Sequence, residues 1–433
     1  MVRRHPGGYI DVLPVRASRP TPGPARRERR SLLSEIDRGG WLIFAAQGLS
    51  GLGTAPFVVF GTIYQRQLGA SAVEIGLIAA LGMLVATLSM IPGTGLAERY
   101  HLRPTIFAGW LLAIPGPVFY AVAPHWVFTA VGTVFLSVAV INTPAINVYL
   151  TLGVARDRLA MVMTLVLSSF SLCMIGSTLL SGWLAQLVGI RWVFFFSFLA
   201  LSLAGVFVAF LPRKELPPEA GTTVRYRDLF RIPAFVALLV LFTYLTVVLF
   251  LPWAFTTLYA RELGHASDLW LGGLMAVFYL GSVMMGLLLT HLRRNLGSML
   301  VVLSFETAFV ASGIVLALGA GLPMLLPAFF LRGTFWSFRQ VMTAVVGEAL
   351  PPAAWPRGYG VFALATGAGA AIAYPLGGWL YARDPGMPFW WSAGLMGVGL
   401  AATFLARGHF GGGRLSQAPI QPALNDEVLP EAA

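Results

Sequence analysis

The chain has few charged residues and a single cysteine, and both shortages limit what it can be. Charged residues make up only 11% of its 433 residues, whereas hydrophobic residues make up 57%. A soluble domain carries about 25% charged residues, so most of this chain must face something other than water. Cys173 is the only cysteine, which excludes an intramolecular disulfide.

Sequence patterns typical of enzymes are also missing. The chain has no His, Cys and Asp cluster with metal-ligand spacing, no phosphate-binding glycine loop and no paired nucleophile and base. We therefore expect no enzymatic activity, no catalytic residues, no cofactor and no metal site. The formal charge of +11 could suggest a nucleic-acid partner. The basic stretch at 1–38 is better suited to an anionic lipid surface, so we expect no nucleic acid.

The apolar residues occur in runs of about 20, the length at which an α-helix crosses a bilayer. These runs lack the alternation of polar and apolar residues found in membrane β-barrel strands. The first run follows a polar stretch that is too long for a signal peptide. We predict an all-α polytopic membrane protein with twelve transmembrane helices, over 41–63, 73–94, 105–123, 126–150, 159–187, 192–211, 233–258, 269–289, 298–319, 322–347, 359–381 and 388–406.

A hydrophilic stretch at 212–231 divides the predicted helices into two sets of six. We expect an N-terminal six-helix bundle over 39–211, a cytoplasmic linker over 212–231 and a C-terminal six-helix bundle over 232–407. The tails, 1–38 and 408–433, are rich in Pro or Gly and are expected to be disordered. Glycine and serine in the second, fifth, eighth and eleventh helices are expected to allow close packing between the bundles.

Basic residues are concentrated in alternate loops, and this pattern predicts the orientation. Twelve Arg and Lys residues occupy the loops on the side of the two termini, and four occupy the loops on the other side. Cytoplasmic loops carry the excess of positive charge, so both termini are expected in the cytoplasm. The expected location is the plasma membrane, most simply a bacterial inner membrane.

Two pairs of segments repeat about half a chain apart. TIYQRQLG (62–69) and TTLYARELG (256–264) share Tyr, Arg, Leu and Gly at the same spacing. LLSGWLAQLVGIRWVFFF (179–196) is echoed by PLGGWLYARDPGMPFWW (375–391). Two related six-helix halves form a known transporter architecture, so we interpret the repeats as a duplication. Each copy of the first pair is predicted to end the first helix of its bundle at the outer surface.

The loop GTGLAERYHLRP (93–104) resembles the Gly-x-Leu-Ala-Asp-Arg-x-Gly-Arg-Arg signature of major facilitator superfamily transporters. Its matching residues are Leu96, Ala97, Arg99, Arg103 and Pro104, and Glu98 replaces the aspartate. GLLLTHLRRNLG (286–297) and LRGTFWSFRQVMTAVVGEALPPAAWPRGYG (331–360) resemble other family segments. The resemblance covers the twelve predicted helices and implies the family's fold, a monomer and alternating access. It also implies a cytoplasmic gate containing Glu98, Arg99 and Arg103, although these charges could simply set the topology.

Three ionisable residues are predicted deep in the membrane, where charge is costly and is commonly functional. They are Glu306, Arg332 and Arg339. The two arginines share a helix face with Trp336 and Gln340. By resemblance this helix lines the central cavity, where the arginines would meet an anionic or polar group and Trp336 would stack on it.

The resemblance also places several uncharged polar residues in the cavity. They are Gln47, Asn142, Asn147 and Tyr244. Hydrogen bonds between helices are the alternative role for these side chains. Glu306 is either a proton-coupling carboxylate or the partner of Arg339 or Arg332 in a structural ion pair.

The function predicted on these grounds is export of a small organic molecule, with protons as a candidate coupling ion. The fifth helix, SSFSLCMIGSTLLSGWLA (168–185), lacks the proline of the family's antiporter signature, which weakens a drug/proton antiport assignment. A uniporter or exchanger for a polar or anionic metabolite is the alternative. A receptor or scaffold of transporter-like fold, without flux, is the alternative of another class.

Overall fold

The structure is a computed structural model that describes residues 37–99, 102–152, 159–214, 226–296, 298–318, 321–351 and 354–410. Most of both predicted tails and of the predicted linker lies outside these ranges, whereas Arg38 and residues 408–410 are helical. The described residues form seventeen α-helices and no β-strand. The helices are α1 (Arg38–Gln67), α2 (Ala72–Arg99), α3 (Leu102–Ala113), α4 (Pro115–Ala121), α5 (Trp126–Val138), α6 (Thr143–Thr151), α7 (Leu159–Val188), α8 (Ile190–Ala209), α9 (Tyr226–Leu229), α10 (Pro233–Phe250), α11 (Thr256–Glu262), α12 (Asp268–Leu296), α13 (Ser298–Ala317), α14 (Leu322–Arg332), α15 (Thr334–Glu348), α16 (Trp355–Arg383) and α17 (Met387–Phe410).

Eleven helical segments of the described chain are long and apolar enough to cross a membrane. They coincide with eleven of the twelve predicted helices, which confirms the all-α polytopic fold. Three of the eleven are interrupted at Pro115, Pro144 and Pro252, because proline removes a backbone donor and clashes with the preceding turn. The tenth predicted helix, over 322–347, is instead two shorter helices, α14 and α15, that meet at Gly333.

The first two helices begin and end with recognisable local signals. The Asp37 side chain accepts a hydrogen bond from the Gly40 backbone at 2.8 Å and so caps α1. Ser71 and Glu74 cap α2 reciprocally, each side chain accepting from the other residue's backbone N–H. Between them Gly69 has φ +92°, a left-handed conformation that favours glycine and allows the tight turn.

Helices α1–α8 pack mainly on one another, and so do α10–α17, and we call these sets the N-terminal and C-terminal bundles. Between the bundles, α2 lies along α16 and α7 lies along α12. Glycines occupy both contacts. A Cβ on Gly182 would lie 3.0 Å from the Gly272 Cα, and one on Gly76 would lie 2.5 Å from the Tyr374 carbonyl oxygen. Small residues therefore let the bundles approach closely, as expected for these four helices.

Another glycine contact lies where α14 meets α15. A Cβ on Gly333 would lie 2.2 Å from the carbonyl oxygen of Phe278 and 2.6 Å from the backbone nitrogen of Ser282, both in α12. Reciprocally, a Cβ on Gly281 would lie 2.2 Å from the carbonyl oxygen of Phe330. The two backbones cross at these glycines, so the interruption of the tenth segment coincides with a helix crossing.

We expect Gly333→Ala to destabilise the protein by about 1–3 kcal/mol, because the added methyl group meets backbone atoms that cannot move alone. Thermal unfolding of the purified protein in detergent would measure this. Gly273→Ala is the matched control, since it lies in α12 and a Cβ there meets nothing within 4 Å. Equal unfolding temperatures for the two variants would show that the crossing tolerates a side chain.

Candidate functional site

The repeated segments 62–69 and 256–264, which we call the repeated phrases, contact each other across the bundles. The Thr62 and Thr257 hydroxyl oxygens lie 3.4 Å apart, and Arg66 Nε lies 3.3 Å from Glu262 Oε1. The Tyr381 hydroxyl donates to Glu262 Oε2 at 2.8 Å. The phrases therefore close this end of the molecule, which we call the repeat end. It was predicted to face outside.

The repeated phrases are not used symmetrically. The tyrosines turn into their own bundles: Tyr64 accepts from Arg191, and Tyr259 donates to the Leu316 carbonyl. Arg261, the counterpart of Arg66, pairs with Asp268 inside its own bundle. Hence a single ion pair, Arg66 with Glu262, connects the two copies among the described residues. The Arg66 side chain is 48% exposed, so this pair contributes at most about 1 kcal/mol and can separate readily.

Aromatic side chains and one arginine form a second cluster in the C-terminal bundle. The Trp253 and Phe335 rings stack 4.3 Å apart, and Trp336 meets Trp253 edge-on at 6.1 Å. The Arg339 guanidinium carbon lies 5.4 Å from the Phe250 ring centroid and 5.7 Å from that of Trp336. Among the described residues Arg339 has no ion-pair partner. We call Phe250, Trp253, Trp336 and Arg339 the arginine–aromatic cluster.

The exposed member of the cluster, Trp336, lies on the side of α15 away from its packed face. On α15 the side chains of Phe335, Phe338 and Met342 are buried, and α15 packs on α12 and α13. Trp336 and Gln340 lie on the other side of the helix, where both are exposed. The cluster's Phe250 packs on Tyr374 of α16, the helix that runs along α2.

Arg332 does not join this cluster, contrary to prediction. Its side chain is fully buried, with the guanidinium carbon 4.8 Å from the Phe309 ring centroid and 5.4 Å from that of Phe389. These rings belong to α13 and α17, whereas Arg339 lies against α10. The two arginines lie about 10 Å apart along the helix axis, so they meet different helices. All three guanidinium nitrogens of Arg332 lack a hydrogen-bond partner among the described residues.

Glu306 is also buried, and it is not in an ion pair with either arginine. Its Oε1 accepts a hydrogen bond from the Thr403 hydroxyl at 2.8 Å, and its Oε2 has no partner in the described chain. The small gap beside it is mainly apolar, with lining residues Leu249, Phe305, Phe309, Thr334, Phe338 and Met396. The carboxyl group therefore lies inside the C-terminal bundle, on α13, facing α17.

The uncharged polar residues predicted for the cavity occupy different surroundings. Asn147 on α6 is exposed, whereas Gln47 on α1 is partly buried. Asn142 is buried against α3, where a Cβ on Gly109 would lie 2.5 Å from the Asn142 Cβ. Tyr244 donates to the Leu395 carbonyl on α17 at 2.6 Å, an interhelical hydrogen bond. Asn142 and Tyr244 therefore serve packing within their own bundles in this conformation.

The predicted cytoplasmic gate is described only in part. The side chains of Glu98 and Arg99, at the end of α2, lie outside the described part of the chain. Arg103 donates to the Ala209 carbonyl, the last of α8, at 2.7 Å. This contact lies within the N-terminal bundle, and Arg103 makes no hydrogen bond or ion pair to the described part of the C-terminal bundle.

Comparison with known proteins decides the family. The model of the Major Facilitator Superfamily matches residues 43–341. The chain belongs to the major facilitator superfamily. As members of this superfamily are transporters, the protein is a membrane-embedded transporter of small molecules. Among curated protein sequences, none matches the chain.

Solved structures of superfamily transporters share the fold. The nucleoside transporter NupG is 11% identical and superposes with a TM-score of 0.68, covering 88% of this chain and 99% of its own. The peptide transporter POT in complex with sulfate is 14% identical, with a TM-score of 0.70 and coverage of 90% and 99%. A bacterial homologue of the human lysosomal transporter Spinster, inward-facing and unoccupied, is 14% identical, with a TM-score of 0.62 and coverage of 88% and 95%.

The contact between the repeated phrases is the feature of this superfamily member that sequence reasoning missed. The repeat was identified, but only as a sign of duplication. Thr62 and Thr257 occupy matching positions 195 residues apart, and they touch each other. Residues at equivalent positions of two repeats contact each other when they lie next to the pseudo-twofold axis that relates the repeats. Polar residues repeated at the end of the first helix of each half were therefore the available signal.

Proposed function

We propose that this protein moves a small organic anion across the membrane by alternating access, with the anion held at the arginine–aromatic cluster. The observation that carries the proposal is Arg339. It presents a positive charge beside two aromatic rings, those of Phe250 and Trp336, and has no ion-pair partner in the described chain. A guanidinium binds a carboxylate with two parallel hydrogen bonds, and the rings suit an aromatic or apolar body.

Alternating access is supported by the contact at the repeat end. Besides the packing of α2 on α16 and of α7 on α12, the bundles meet there through two side-chain contacts, Thr62 with Thr257 and Arg66 with Glu262, that a rocking motion would separate. In this conformation the substrate would therefore exchange with the opposite side. That opposite end contains the end of α8 and the beginning of α10, and we call it the linker end.

Proton-coupled export is the second candidate function, and Glu306 favours it. Its carboxyl group is buried, accepts one hydrogen bond from Thr403 and has no ion-pair partner in the described chain, and an ionisable residue inside a membrane span is commonly functional. Its position in a packed bundle would link protonation to movement of α13 against α17. We further propose that both termini lie in the cytoplasm, on the strength of the arginine distribution. From the family resemblance we propose a monomer, and we place it in a bacterial inner membrane.

The test is flux in proteoliposomes that carry a pH-sensitive dye inside. Radiolabelled salicylate, benzoate and indole-3-acetate are supplied together with their neutral amides, for wild type and Glu306→Gln. Anion transport predicts flux of carboxylates over amides in both proteins. Proton antiport predicts a substrate-dependent pH change that Glu306→Gln abolishes. Saturable binding without flux would contradict both functions and indicate a receptor.

A further inference from the structure

We propose that a pocket at the linker end, on the outer side of the N-terminal bundle, binds the headgroup of an anionic phospholipid. The pocket has a volume of about 410 Å³ and lies between the first turn of α3 and the last turn of α8. It is lined by Arg103, Pro104, Phe107, Ala209 and Arg213. Its two arginines come from segments about 100 residues apart in sequence, so the fold assembles the site.

The pocket has an excess of positive charge. Arg103 donates one hydrogen bond to the Ala209 carbonyl, and neither Arg103 nor Arg213 pairs with a carboxylate in the described chain. Lys214, the next residue, is different, because it pairs with Asp37 at 2.9 Å. Among the described residues, the pocket therefore holds two guanidiniums without a carboxylate partner, and the N-terminus of α3 adds the positive end of its helix dipole.

An apolar surface continues from the pocket along the same two helices. On α3 the exposed side chains include Phe107 and Leu111, one helical turn apart. On α8 they include Leu203 and Val206, and Phe210 follows directly after the helix. In a membrane-spanning bundle such side chains face hydrocarbon. An occupant of the pocket would thus have its charged part on the arginines and its apolar part on this surface.

This combination selects a lipid over a water-soluble anion. A free phosphate group would use the arginines and leave the apolar surface unused. A zwitterionic lipid would bring its own cation next to two arginines. An anionic phospholipid such as phosphatidylglycerol matches both the charge and the surface, and basic pockets at the cytoplasmic side of membrane proteins bind such headgroups.

The experiment uses the full-length protein, delipidated in detergent and titrated with phosphatidylglycerol or phosphatidylcholine while thermal unfolding is followed. Phosphatidylglycerol should stabilise wild type and phosphatidylcholine should not. Each of Arg103→Gln and Arg213→Gln should raise the half-saturating concentration about fivefold, and the double variant about 25-fold. Arg231→Gln is the matched control: it removes one charge from an exposed arginine outside the pocket and should leave the value unchanged.

Arg213→Gln keeps the test valid if Arg103→Gln fails to fold, because Arg213 makes no hydrogen bond or ion pair in the described chain. Equal weakening by Arg231→Gln would overturn the proposal, since it would indicate general attraction to charge. Equal stabilisation by both lipids would overturn it as well. The last titration of the same experiment uses glycerol-1-phosphate at millimolar concentration. If it stabilised wild type as well as phosphatidylglycerol and lost this effect in Arg213→Gln, the pocket would be a site for a soluble phosphate.

Discussion

A disulfide between residues 62 and 257 should abolish transport, and reducing it should restore transport. The variant is Thr62→Cys with Thr257→Cys in a Cys173→Ser background, which removes the only native thiol. The threonine oxygens lie 3.4 Å apart across the two bundles, so sulfur atoms at these positions can meet with little backbone movement. Because the bond fixes the repeat end closed, the carrier could no longer expose its site on that side.

The measurement is uptake into proteoliposomes of the carboxylate that the flux experiment shows to be transported. Uptake is measured after oxidation with copper phenanthroline and again after reduction with dithiothreitol. Ser282→Cys with Ser337→Cys is the matched control, because these hydroxyl oxygens are also 3.4 Å apart but both belong to the C-terminal bundle. Cross-linking there should leave uptake intact. Full uptake by a completely cross-linked Thr62→Cys/Thr257→Cys protein would show that the bundles need not separate at the repeat end.

The helices were predictable because the membrane imposes one rule on every spanning segment. Backbone groups in hydrocarbon must pair within the segment, so about 20 apolar residues predict a helix regardless of what lies beside it. The first predicted span, 41–63, lies within α1, for example. The tenth span was different. Its interruption at Gly333 coincides with contacts to the backbone of Phe278 and Ser282, and a contact with another helix leaves no trace in local hydropathy.

The candidate site was less predictable for the same reason. Helical spacing placed Arg332 and Arg339 on one face, but spacing does not say which neighbouring helix each side chain meets. The fold sends Arg332 to Phe309 and leaves Arg339 beside Phe250. Glu306 is buried as well, yet its hydrogen-bond partner, Thr403, is 97 residues away in sequence. Depth follows from position within a span, whereas partners follow from how spans pack.

Replacing the charge of Arg339 should remove transport of carboxylates almost completely. We expect Arg339→Gln to lower carboxylate uptake about 100-fold, because a buried anion loses its charged hydrogen-bond partner. Arg339→Lys should retain a larger fraction of the wild-type carboxylate uptake, since lysine keeps the charge but cannot form the bidentate pair of hydrogen bonds. Arg383→Gln, which removes the cation lying 3.5 Å from the Trp379 ring at the repeat end, is the matched control and should transport normally.

A merely structural role for Arg339 would lower all fluxes equally, so selectivity is the deciding readout. The ratio of carboxylate to amide uptake should fall toward one in Arg339→Gln, while Arg339→Lys should keep a preference for the carboxylate. Trp336→Ala should weaken uptake of aromatic carboxylates more than that of acetate, because the ring contacts the body of the substrate and not its charge. An unchanged carboxylate preference in Arg339→Gln would instead place the anion elsewhere. The fully buried guanidinium of Arg332 would be the next position to test, since it too has no partner in the described chain.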